Sequence, residues 1–72
     1  MLKPEELQNR FTYHPPFGDQ HSRYLAIRQK AHELAELIDK SVPDSREKSV
    51  AMTELETVVM WANAGIARNE KA

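Results

Sequence analysis

Met52-Thr53-Glu54-Leu55-Glu56-Thr57-Val58-Val59-Met60-Trp61-Ala62-Asn63-Ala64-Gly65-Ile66 is the stretch from which the fold can be read. Met52, Leu55, Val59, Ala62 and Ile66 recur at intervals of 3, 4, 3 and 4, the period of one face of an α-helix. Val58, Met60 and Trp61 fall off that face, so from Val58 to Ala62 the helix is apolar on every side. A helix apolar all round is buried, and a second helix of the same short chain can cover only one of its faces. The other face, carrying Val58, Met60 and Trp61, is therefore expected to be a subunit interface. Asn63 and Gly65 interrupt the same run. A buried Asn needs hydrogen-bond partners and often sets the register of helical assemblies. A mid-helix Gly costs about 1 kcal/mol relative to Ala, which points to close approach of another backbone or a ligand.

Outward from this stretch the helix is expected to run from about Ser45 to Asn69, roughly 36 Å at 1.5 Å per residue. Asp44 followed by Glu47 has the form of an N-cap with its N3 partner. Ser41-Val42-Pro43-Asp44-Ser45 is a compact break. Before it, a helix beginning at Asp19 or Ser22 should reach Lys40 or Ser41, with Ile27, Ala31, Leu34 and Ile38 as its stripe. Tyr24, Ala35 and Leu37 widen that stripe, and Glu36 with Lys40 forms an i,i+4 pair in the favoured order. Two long helices joined by so short a turn must lie antiparallel. Upstream, Pro4-Glu5-Glu6 starts a short helix to Arg10: Pro suits the first helical position, and acids suit the positive end of the dipole. Between the helices, Pro15 and Pro16 stiffen a connector that carries Phe11, Tyr13, His14 and Phe17. The expected fold is all-α: a short N-terminal helix, a proline-rich loop, then a long antiparallel helical hairpin assembling into a homo-oligomer, as one domain over residues 1–72.

The totals agree with assembly. At 72 residues a single core is marginal, and disulfides, metals or oligomerisation are the usual supports. There are no cysteines, so disulfides, thiolate zinc sites and a Cys nucleophile are excluded. Ten Lys+Arg against eleven Asp+Glu leave a net charge of −1, with no global field to attract DNA or an anionic membrane. The longest apolar run, Val58 to Ala62, is far short of the roughly 20 residues that span a bilayer. Met1-Leu2-Lys3-Pro4 lacks an apolar signal segment, so the chain reads as soluble and intracellular.

Catalytic motifs are lacking. His14, His21 and His32 have spacings of 7 and 11, which fit no compact ligand pattern. Glu5-Glu6 and Glu54 with Glu56 sit at helical separations that do not face each other. No Ser/His/Asp order and no Gly-rich phosphate loop occurs. No enzyme activity, cofactor or metal is expected. Trp61 and Met60 fit packing better than a ligand pocket. The loop is different. Tyr13-His14-Pro15-Pro16-Phe17 followed by Arg23, Arg28 and Lys30 joins aromatic faces to cationic donors. Such a set suits a small phosphorylated nucleotide, its base on a ring and its phosphate on Arg.

Phe11-Thr12-Tyr13-His14-Pro15-Pro16, Arg23-Tyr24, Ala26-Ile27-Arg28, Val59-Met60-Trp61-Ala62-Asn63-Ala64 and Ile66-Ala67-Arg68-Asn69 together carry a resemblance. From about residue 11 to 69 the chain resembles small phage and prophage proteins of the anti-CBASS cyclic-nucleotide sponge family, which share a helical hairpin with the anti-Thoeris sponges. The resemblance implies a homohexamer that sequesters cyclic dinucleotides such as 3′,3′-cGAMP, and in some members cyclic trinucleotides, without cleaving them. It implies action in the cytoplasm of the infected bacterial host, with no DNA or membrane partner. The family's stacking Tyr corresponds to Tyr13, and its phosphate-binding basic residue, fifteen positions later, to Arg28. Some members carry Lys there, and Arg changes the donor geometry. His14 and Pro15 complete the expected dinucleotide site, and Arg68 with Asn69 a looser trinucleotide site. The expected oligomer interface is Val58, Met60, Trp61, Asn63 and Gly65. A competing reading is a small helical interaction module that caps or inhibits a host protein through its apolar face and loop.

Overall fold

The computed structural model describes residues 1–71; the last position of the expected 1–72 domain lies outside the described residues. Among them are three helices and no strand: α1 (Pro4–Phe11), α2 (Gln20–Ser41) and α3 (Arg46–Asn69). α1 begins at Pro4 as expected, with Glu5 and Glu6 in its first turn and Arg10 in its last. Arg10 reaches back 2.7 Å to Glu6, one turn away.

α2 and α3 form the antiparallel hairpin. The start of α2 meets the end of α3, where Gln20 Nε2 donates to Glu70 Oε1 at 3.0 Å. The end of α2 meets the start of α3, where Lys48 Nζ donates to Asp39 O at 2.7 Å. Lys48 also lies 2.9 Å from the Asp39 carboxylate and 3.0 Å from that of Asp44. Asp39, and after it Asp44, hold the Lys48 ammonium above its ordinary pKa. One lysine thus ties the tip on both sides of the break.

Three local expectations need correction. The N-cap of α3 is Ser45, whose Oγ accepts from Lys48 N at 3.1 Å; Asp44 instead accepts from the Lys48 ammonium. A charged partner in reach draws the carboxylate away from the cap, and the hydroxyl one residue later takes the role. Asp19 does sit at the α2 boundary but makes no cap bond, its Oδ1 accepting from Arg23 Nε at 3.2 Å. Glu36 lies 3.3 Å from His32 Nδ1 rather than pairing with Lys40. Ser45→Ala should lower unfolding stability by about 1 kcal/mol in urea titration, the usual loss for an N-cap hydroxyl.

The buried stripe also shifts. Tyr24, Ile27, Ala31, Ala35 and Ile38 are half-buried on α2, opposite Met52, Leu55, Val59, Ala62 and Ile66 on α3. Leu34 and Leu37, expected in or beside the stripe, are 45% and 52% exposed. The small Ala31 and Ala35 take the inward row, and small side chains there let two helices approach closely.

No apolar side chain among the described residues is fully buried. The molecule measures 46 × 32 × 13 Å, so its thickness is about one helix diameter. Its accessible surface is 6000 Å², against roughly 4,600 Å² for a compact monomer of this mass. Val58, Met60 and Trp61 are 60%, 68% and 67% exposed. A single layer of helices encloses no core.

Candidate functional site

One groove gathers side chains from three parts of the chain. The connector gives Tyr13, His14 and Pro16; α2 gives His21, Tyr24 and Arg28; α3 gives Asn63, Ala64 and Ala67. The α2 set falls at i, i+3 and i+7, and so shares one helix face. Ala64 and Ala67, one turn region of α3, offer little bulk on their side of the groove. Its volume is about 350 Å³. Tyr13 stands 79% exposed at its edge. No carboxylate lines the groove, while one guanidinium and two imidazoles do. Among the described residues Arg28 takes part in no ion pair. An unpaired guanidinium beside an open aromatic face suits an anion that carries a flat ring.

Tyr13, His14 and Arg28 therefore share a groove. Pro15, expected in the site, does not line the groove, and its neighbour Pro16 does. His14 Nε2 lies 2.8 Å from Asn9 O, which fixes the imidazole against α1. Gly18, at φ +55°, makes the turn into α2 in a backbone region that Gly enters freely.

Arg68 and Asn69 separate. Arg68 lines a second hollow of about 450 Å³ with Asn9, Thr12, His14 and Lys71, and its backbone oxygen accepts from Asn9 Nδ2 at 3.2 Å. Asn69 donates to Gly65 O at 2.8 Å within the last turn of α3. His14 lines both hollows. Of the residues expected at an interface, Asn63 lies in the Tyr13 groove, with its Oδ1 buried and without a donor. A Cβ added at Gly65 would meet nothing within 4 Å, so the expected close approach is not made within this chain. A third, apolar groove of about 470 Å³ runs between Ala31 and Ala35 on α2 and Met52, Leu55, Val59 and Met60 on α3. Arg28 borders it as well.

Sequence reading missed Gln20 and Glu70, which sit behind the connector, and offered Arg23 to a nucleotide, whereas its guanidinium is taken by Glu70. Arg23 donates to Glu70 through both terminal nitrogens, at 2.7 and 2.6 Å, and Gln20 Nε2 adds a third bond to that carboxylate. Arg23, and after it Gln20, hold the Glu70 carboxyl at about 2; the Glu70 carboxylate raises Arg23 further above its ordinary value. Because the folded value lies below the unfolded one, this contact stabilises fully above about pH 4.5 and is lost as pH falls toward 2. The melting-temperature gap between wild type and Glu70→Gln should thus be small, as for any ion pair this exposed, constant at neutral pH, and absent once acidification has passed through that window. His21 and Tyr24 could have been found from their i, i+3, i+7 relation to Arg28. Glu70 is 47 residues from Arg23, and no local pattern joins them.

Residues 3–67 match the family model described as Acb2/Tad1, hairpin domain. No curated protein and no solved structure matches the chain.

Proposed function

Since the chain belongs to the Acb2/Tad1 hairpin-domain family, the anti-CBASS and anti-Thoeris cyclic-nucleotide sponges, we propose that it captures cyclic dinucleotide immune messengers such as 3′,3′-cGAMP and holds them intact. The supporting observation is that Tyr13 and the unpaired Arg28 line one open groove. The base stacks on the Tyr13 ring and the phosphate meets the Arg28 fork. His21, on the same face of α2 as Arg28, adds a donor toward an anion, while the His14 Nε2–H is already engaged by Asn9 O.

A cyclic dinucleotide presents two bases and two phosphates about an approximate twofold axis. A C₂ interface presents every residue twice, so one Tyr13 and one Arg28 per protomer become two platforms and two clamps. The exposed Val58, Met60 and Trp61, with no buried apolar side chain among the described residues, favour such an assembly, of which the family's hexamer is the form expected. Arg68 belongs on this reading to a separate trinucleotide site, with Asn69 serving the helix end rather than the ligand. The one-domain protein acts in the cytoplasm of the infected bacterium. No helix among the described residues is long and apolar enough to cross a membrane.

Isothermal titration calorimetry against a panel of cyclic di- and trinucleotides tests the reading. Binding of at least one cyclic dinucleotide, recovered unchanged by chromatography after denaturation, is expected. A linear or hydrolysed product, or no binding across the panel, overturns it. Arg28→Ala should weaken dinucleotide binding by about 1.5–3 kcal/mol per charged hydrogen bond lost. Its remaining affinity should respond less to added salt than that of the wild type.

A further inference from the structure

Both ends of the connector that bears Tyr13 are moored to the last residues of the hairpin. At the front, His14 bonds to Asn9 O, and Asn9 donates in turn to Arg68 O. At the back, Phe17 N–H donates to Gln20 Oε1 at 3.1 Å, while Gln20 N–H returns a bond to Phe17 O at 3.1 Å. The side-chain bond resembles one half of a capping box, and the return bond is an i to i+3 backbone turn. The other end of the Gln20 amide is taken by Glu70, which Arg23 holds in a two-pronged grip. Gln20 is 2% exposed, the one fully buried residue among those described. Pro15 and Pro16 stiffen the span between the two moorings.

We infer that Glu70 is a positioning residue for the nucleotide groove: gripped by Arg23 and acting through Gln20, it sets where the connector stands and so the aim of Tyr13 relative to Arg28. The inference rests on the cyclic-dinucleotide reading for its ligand, but not for its geometry. Arg23 and Glu70 keep 38% and 37% of their side-chain surface in solvent, and ion pairs so exposed add little to global stability. The hairpin has its own apolar stripe and its Lys48 tie. The consequence of the grip is therefore local. A carboxylate alone satisfies it, because both oxygens must accept: three bonds arrive from Arg23 and Gln20. An amide at position 70 would turn a donor toward donors. Gln20 would then lose its fixed orientation, and with it the acceptor for Phe17.

The test compares wild type, Glu70→Gln and Gln20→Met by amide hydrogen exchange and by calorimetry with 3′,3′-cGAMP. Both variants should accelerate exchange at Phe17 at least about tenfold, since one hydrogen bond's protection is lost, and leave the mid-hairpin amides of Ala31 and Leu55 unchanged. Both should weaken 3′,3′-cGAMP about tenfold, the effect of having to re-order even one freed residue on binding. Glu70→Asp, which keeps the carboxylate, should recover part of each effect. Unchanged Phe17 exchange in Glu70→Gln, or loss of protection at Ala31 and Leu55 along with Phe17, overturns the positioning role whatever the nucleotide does. A wild type that ignores the whole cyclic-nucleotide panel, with the Phe17 difference intact, removes the proposed function and supports the mooring. Normal affinity in Glu70→Gln despite faster Phe17 exchange overturns its part in binding.

Discussion

Tyr13→Ala should weaken cyclic dinucleotide binding by about 2–6 kcal/mol, because stacking is worth about 1–3 kcal/mol per base and two symmetry-related rings act on one ligand. That is roughly a thirtyfold to twenty-thousandfold rise in Kd. Tyr13 is 79% exposed in the free chain, so its removal leaves no cavity, and circular dichroism should show the helices unchanged. The stiff connector makes the effect larger than for a flexible loop, since little ordering entropy offsets the stack. Tyr13→Phe keeps the ring and should bind almost as well. Calorimetry on the two variants decides: an alanine variant that binds like the wild type puts the ligand elsewhere and ends the correspondence with the family's Tyr.

Trp61→Ala should disrupt the assembly. A Trp side chain buries roughly 150–250 Å² when covered, and truncating a buried one costs about 3–5 kcal/mol. In the isolated chain Trp61 is 67% exposed, so that loss can be felt only where another protomer covers it. Each interface built on Trp61 would weaken by roughly two to four powers of ten. Sedimentation equilibrium should find the wild type well above the 8.3 kDa of one chain and the variant shifted toward it at the same micromolar concentration. Stability should rise with protein concentration in the wild type, as mass action requires of a chain that folds by associating. A wild type that sediments at 8.3 kDa would refute both the interface and the shared pocket.

The hairpin was legible because its signals are local. The 3-4 spacing on α3, the break at Pro43 and the start at Pro4 each depend on residues within a turn or two. Leu34 was misjudged for the opposite reason. Periodicity marks Leu34 and Ala35 almost equally, and the choice between them falls to the depth at which α3 packs, which a single helix does not encode. Ser45 displaced Asp44 as N-cap because Lys48, in the first turn of the same helix, claims the carboxylate. Tyr13 and Arg28, which share the groove, were singled out through aromatic and basic composition together with the resemblance. That Asn63 also lines the groove was not legible, since only folding brings α3 beneath the connector. The Gln20–Glu70 contact spans 50 positions and offers no short-range trace at all.

The double mooring of the connector also orders events in time. During synthesis the Tyr13 segment leaves the ribosome early, at a growth rate of about 5–20 residues per second. Its anchors, the Arg68 backbone and the Glu70 carboxylate, are added more than fifty residues later. A nascent chain can therefore wind α1 and α2 yet hold no ordered connector wall. The part of the groove that is translated first is the part completed last, so the wall that carries Tyr13 is set only when the final turn of the hairpin has closed.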